Sequence, residues 1–191
     1  MYFRDIPDMN GNHKTYSTSV TFRFDSENIE KMRHHASGLG ISLNSLINQI
    51  VKEYFEWHIF ESKVGFVSIL KPVVKEIFTK MSKEQIIQIA ANSGKEEVRN
   101  ALYFMKGRTD LDSFLSWFEA KMKNSSIQIS HTFDRTSRIH TYVVKHDISE
   151  NWSLYLKQII EYIFNEVLER RVEVSISNTT LTFKFGEEII V

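Results

Sequence analysis

The chain has 191 residues, with 24 Lys and Arg balancing 24 Asp and Glu, 42% hydrophobic residues and no cysteine. This composition suits one large soluble domain or two smaller ones with real cores, and it excludes a disulfide framework, a thiolate metal site and a globally polyanion-seeking surface. No apolar run approaches the roughly 18 residues of a membrane span, and the opening MYFRDIPDMNGNHK has no signal-peptide core, so residues 1–15 read as a flexible polar arm on a cytoplasmic protein.

In SVTFRFDSEN, residues 19–28, Val20, Phe22 and Phe24 alternate with Ser19, Thr21 and Arg23, the period of a half-buried strand. Asp25 or Ser26 then offers an N-cap for a helix carrying Ile29, Met32, Arg33 and Ala36 on one side, and GLG at 38–40 stops it. Ser42 caps a second helix, with Leu43, Leu46, Ile47, Ile50, Val51, Tyr54 and Phe55 at helical spacing, running to about Ser62, and Gly65 marks its break. Residues 63–124 read as a helical connector of three or four short helices. Ser82 and Gln85 make a capping box there, Gly94 and Gly107 sit at natural stops, and Pro72 marks a first turn or a kink.

The character changes near residue 125. SIQISHTF and RIHTYVVKHDI read as a hairpin around DRTS, SENWSLYLKQIIEYIFNEVLERR as the strongest amphipathic helix, and VEVSIS with TLTFKF as one or two closing strands around Asn178–Thr179. The expected fold class is α+β, with a ββαβ(β) C-terminal domain over residues 125–191, a small antiparallel sheet packed on one long helix. Trp152 and Tyr155 belong to the apolar face of that helix and read as core.

A strand at 19–24 has no partner in its own chain for about a hundred residues, and a lone strand leaves its backbone groups unmade. A second copy would complete it: a twofold axis sets two such strands antiparallel. The stretch SVTFRFDSENIEKMRHHASGLGISLNSLINQIVKEYF resembles, over residues 17–58, the ribbon-helix-helix superfamily of Arc/MetJ/CopG-like dimers, which implies such a domain at 16–62. The resemblance is carried by Arg23–Phe24 at the strand end and by Ser42, Leu43, Asn44 and Ser45 opening the second helix.

The resemblance implies a homodimer that inserts its ribbon into the major groove of double-stranded DNA, as a transcriptional regulator or a DNA-organising protein. Ser19, Thr21 and Arg23 would contact bases, and Ser42, Leu43, Asn44 and Ser45 would contact phosphates. Val20, Phe22, Phe24, Ile29, Leu46, Ile47 and Ile50 would form the dimer core. Residues 1–63 carry seven basic and eight acidic side chains, so cationic contacts are few and binding would be weak or would depend on several dimers side by side. The C-terminal domain would serve assembly or ligand sensing. The alternative is an antitoxin-like dimer that uses the module only to dimerise and meets a protein partner through its C-terminal domain.

A two-residue turn within Asp134–Ser137 would place His131 opposite His140, two imidazoles able to bind a metal or to titrate as a pair. Joining such a domain to a ribbon-helix-helix module is similar to the nickel-responsive repressors, but no second βαβ half or cysteine ligand is present. The two histidines read first as ordinary sheet residues, with no metal and no cofactor. His34 and His35 diverge by about 100° on a helix, and His58 stands alone. No phosphate loop, HExxH or GxSxG occurs, so no enzyme activity is expected.

Overall fold

Residues 17–187 are described by the structure, a computed structural model, and they divide into two compact units between Asn48 and Gln49. The arm expected over 1–15 lies outside the described residues. Residues 17–25 carry no strand, and helix α1 (Ser26–Gly38) is the first regular element among the described residues. Val20, Phe22 and Phe24 are 62%, 68% and 46% exposed.

The expected ribbon is therefore missing. With it go the ribbon-helix-helix assignment, the groove-reading and transcriptional roles, the DNA partner and the ribbon-built homodimer, in both the regulator and the antitoxin-like versions. The physical reason is that alternation only states which side chains would share a face if the segment were extended. A strand exists when a neighbouring ladder satisfies its backbone, and no described residue supplies one here.

Helix α1 ends as glycine demands, with Gly40 at φ 67° in the left-handed region. Helix α2 (Leu43–Glu53) starts on Ser42, whose Oγ accepts from the Ser45 N–H at 3.0 Å. Its continuation is a π-helical turn, Tyr54–His58, and then α3 (Ile59–Val64), closed by Gly65 at φ 82°.

In the larger unit, α4 (Lys71–Lys80) has Pro72 in its first turn, where a missing N–H costs nothing. Helix α5 (Lys83–Ile89) opens on a complete capping box: Ser82 Oγ accepts from Gln85 N, and Ser82 N donates to Gln85 Oε1. Gly94 is not a stop. It closes a π-helical turn, Ala90–Gly94, that leads directly into α6 (Lys95–Lys106). Helix α7 (Leu111–Asn124) is capped by Asp110, whose Oδ1 accepts from Ser113 N at 2.8 Å.

The C-terminal part is a four-stranded antiparallel sheet of order β1-β2-β4-β3. It comprises β1 (Gln128–Asp134), β2 (Ile139–Lys145), β3 (Glu173–Ile176) and β4 (Thr180–Gly186). Between β2 and β3 runs α8 (Glu150–Tyr162), started by Ser149 and ending in a π-helical turn, Ile163–Val167. The α+β domain with one long helix on a small sheet is thus present, without the N-terminal module.

Helices α7 and α8 cover one face of the sheet. Phe118 and Phe164 meet Phe183 edge-on, with ring centroids 5.7 and 6.0 Å away, over fully buried Val144 and Leu181. No described helix is long and apolar enough to cross a membrane.

Candidate functional site at the free edge of the sheet

The hairpin between β1 and β2 has a four-residue loop, Arg135–Arg138. The Asp134 carboxylate holds it, accepting from Thr136 N at 2.9 Å and from Ser137 Oγ at 2.7 Å. Arg138 turns the corner at φ 54°. The register therefore slips by two from the expected one: His131 pairs with Tyr142, and Phe133 pairs with His140. An even slip keeps every side chain on its face. The two histidines still meet, now diagonally, with His131 Nε2 2.9 Å from His140 Nδ1.

Pairing then aligns rings into two rows across three strands. One runs Phe183–Tyr142–His131, with centroid spacings of 4.9 and 4.3 Å and planes within 4° and 12°. The other runs Phe185–His140–Phe133, with spacings of 5.0 and 4.5 Å and planes at 8° and 32°. A third, aliphatic row runs Leu181–Val144–Ile129. All three rows are buried at β4 and come out towards solvent at β1, where Phe133 is 38% exposed.

One of the facing imidazole nitrogens donates and the other accepts. His140 is held below its ordinary value, by burial first and then by the charge His131 would carry, with Glu187 opposing. Burial, helped by the nearby Glu119 carboxylate, raises the Tyr142 phenol. Among the described residues, no group of three or more His, Asp or Glu side chains converges to hold a metal.

Strand β1 is an edge, and its free backbone groups can be identified. Glu187 N donates to Arg138 O at 3.0 Å, and His146 N donates to Thr179 O at 3.1 Å, each in the β2–β4 register. Even-numbered β2 residues therefore bond β4, and odd-numbered ones bond β1, at Gln128, Ser130, Thr132 and Asp134. Ile129, His131 and Phe133 are left with N–H and C=O pointing away from the sheet. No other described residue hydrogen-bonds to these six groups.

Alongside runs a groove of about 900 Å³. Its walls include Trp57 on the π-helical turn, Glu119 and Lys123 on α7, and all of Gln128, Ile129, Ser130 and His131. Successive strand residues face opposite sides of a sheet, so a groove touching four in a row follows the strand's edge.

A second histidine cluster has a different character. His146 is fully buried, and its Nδ1 accepts from Ile148 N at 3.1 Å, so Nε2 carries the proton and donates to Ser153 Oγ at 2.7 Å. Ser153 Oγ in turn donates to Ser177 O at 3.0 Å. Histidine here gives its proton to the serine, the reverse of a base activating a nucleophile. The chain of bonds ties the end of β2, the start of α8 and the β3–β4 turn together. Burial pushes the imidazole down to about 4.

The residues expected at a DNA interface lie elsewhere. Ser19, Thr21 and Arg23 are exposed on the segment without a strand. Ser42, Leu43, Asn44 and Ser45 form the first turn of α2 and its cap, where Ser42 Oγ also lies 2.8 Å from Ser45 Oγ. Of the expected dimer core, Leu46 is buried, Ile29 and Ile47 are half-buried, and Ile50 is 49% exposed. The sequence offers His131 and His140 as a metal pair only as the lesser reading, and gives Ile129 and Phe133 no role beyond the strand register. The available signal was ISHTF, an alternating apolar strand with no Lys, Pro or Gly to guard it as an edge. Comparison with models of known protein families, with curated proteins and with solved structures finds no match.

Proposed function

We propose that residues 49–187 form a protein-binding module that takes an extended segment of a partner protein as a fifth strand on β1. The observation that carries this is the set of six backbone groups at Ile129, His131 and Phe133 that no described residue pairs, the first two of these residues lining an open groove. Strand addition uses such groups for affinity and the flanking pockets for specificity. Natural edges of this length are normally blunted by Lys, Pro or a bulge, and QISHTFD has none of these. The opposite edge, β3, is only four residues long. Each main-chain hydrogen bond contributes about 1 kcal/mol net, so the six together give about 6 kcal/mol, an affinity no tighter than tens of micromolar before side chains add to it.

The test is selection from a random peptide library displayed on phage, followed by backbone amide exchange of the bound complex. Enriched peptides should slow exchange at Ile129, His131 and Phe133 and lose binding to Ile129→Pro. That substitution removes an outward N–H and spares the β2 ladder. Peptides that bind Ile129→Pro as well as the wild type, or that leave those three amides unprotected, would defeat the proposal.

A further inference from the structure

The three rows that end at β1 also point to what the guest strand must carry. We infer that the partner segment presents planar aromatic side chains at two positions two residues apart, opposite His131 and Phe133, with an aliphatic side chain two residues further on, opposite Ile129. This rests on the strand-addition reading and specifies its partner.

In each row the strands pair directly, Phe183 with Tyr142 and Tyr142 with His131, then Phe185 with His140 and His140 with Phe133. The four ring-to-ring steps keep centroids 4.3 to 5.0 Å apart. A fifth strand hydrogen-bonded to Ile129, His131 and Phe133 would lie one strand spacing beyond β1, about 4.8 Å away, and continue the same pleat.

Its side chains opposite His131 and Phe133 would then meet rings whose outer faces have no stacking partner among the described residues. Aromatic or imidazole rings continue such a stack, whereas branched aliphatic side chains cover the same area without matching the flat faces. The aliphatic row imposes the opposite preference opposite Ile129. Side chains on the guest's other face would continue the hydroxyl-bearing outer surface, where Ser130 and Thr132 stand on β1 and Thr141 and Thr182 on the strands behind, so that face suits polar residues.

The probes are two synthetic peptides, KTFTFTVTK and KTLTLTVTK, which differ only in the two row positions. Titration of full-length protein with each, read by fluorescence anisotropy, gives the affinity ratio, and amide exchange at Ile129, His131 and Phe133 reports strand addition separately. The aromatic peptide is expected to bind about tenfold tighter, as two stacked pairs would give. That ratio should fall to near unity in the His131→Ala/Phe133→Ala double variant.

Equal binding by both peptides, with the three amides protected by each, would overturn the aromatic class and leave strand addition standing. Binding by neither would remove both. Protection of the three amides in the free protein that grows with protein concentration would show a second copy on the edge, and would overturn the inference as well.

Discussion

The buried His146 makes stability depend on pH with a magnitude that can be worked out. Its folded value is about 4 against an ordinary 6.5, because burial disfavours the imidazolium and both ring nitrogens are already engaged. Between those two values the unfolded chain binds more protons than the folded one. The stabilisation is therefore complete above about pH 6.5, declines as pH falls, and is lost by about pH 4. The whole difference is worth about 3 kcal/mol, and about 2 kcal/mol is already lost at pH 5. For a domain of ordinary stability that is a large fraction. The assay is urea unfolding followed by tryptophan fluorescence at pH 8 and pH 5, for wild type and for His146→Asn. The variant should be weaker at pH 8, because the Ser153 hydroxyl and Ile148 N–H lose their partner, and it should lack this share of the pH dependence. If the variant does not fold, the wild-type ring can be followed directly by proton NMR. A His146 resonance that titrates near 6.5, or an unchanged pH dependence in a folded variant, would refute the reasoning.

Gly94→Ala should destabilise the protein by about 1–3 kcal/mol in thermal or urea unfolding, although alanine normally favours a helix. An added Cβ there would lie 2.9 Å from Ile159 Cδ1 and 3.0 Å from the Tyr155 hydroxyl. Ser82→Ala should cost about 1 kcal/mol through loss of the α5 capping box, measured the same way. In the free protein, amide exchange should alternate along β1, slow at Ser130 and Thr132 and fast at Ile129, His131 and Phe133. Uniform protection would show that the outward groups are already covered. Phe183→Ala, at the meeting point of α7, α8 and the ring rows, should cost about 3–5 kcal/mol.

Much of the C-terminal fold can be read from the sequence because each signal there is local. The capping serines at 82 and 149 compete successfully for the first free N–H groups of their helices, and Ser42 does the same in the smaller unit. The apolar alternation in β2 and β4 survives because both strands have neighbours on either side and one face under helices. The same alternation at residues 19–24 is the counterexample. Val20, Phe22 and Phe24 satisfy the period as well as Tyr142 and Val144 do, yet strand formation needs a second ladder, and no local pattern states whether one is present. Gly94 misleads for a related reason. It looks like a helix stop, but what fixes a small residue there is the approach of α8, some sixty residues further along the chain.

The histidines show how far period alone can carry a functional reading. A strand's period of two fixes which face each residue takes, so His131, Phe133, His140 and Tyr142 could be put on one face whatever the turn. Which of them are neighbours depends on loop length, and that was decided by the Asp134 side chain closing four residues instead of two. With the shorter turn, two imidazoles sit opposite one another and suggest a metal. With the longer one, each imidazole joins a row of flat rings, and among the described residues the rows end at β1. The chemistry to be explained then moves from the two facing ring nitrogens, His131 Nε2 and His140 Nδ1, which are bonded to each other, to the ring faces and the backbone beside them.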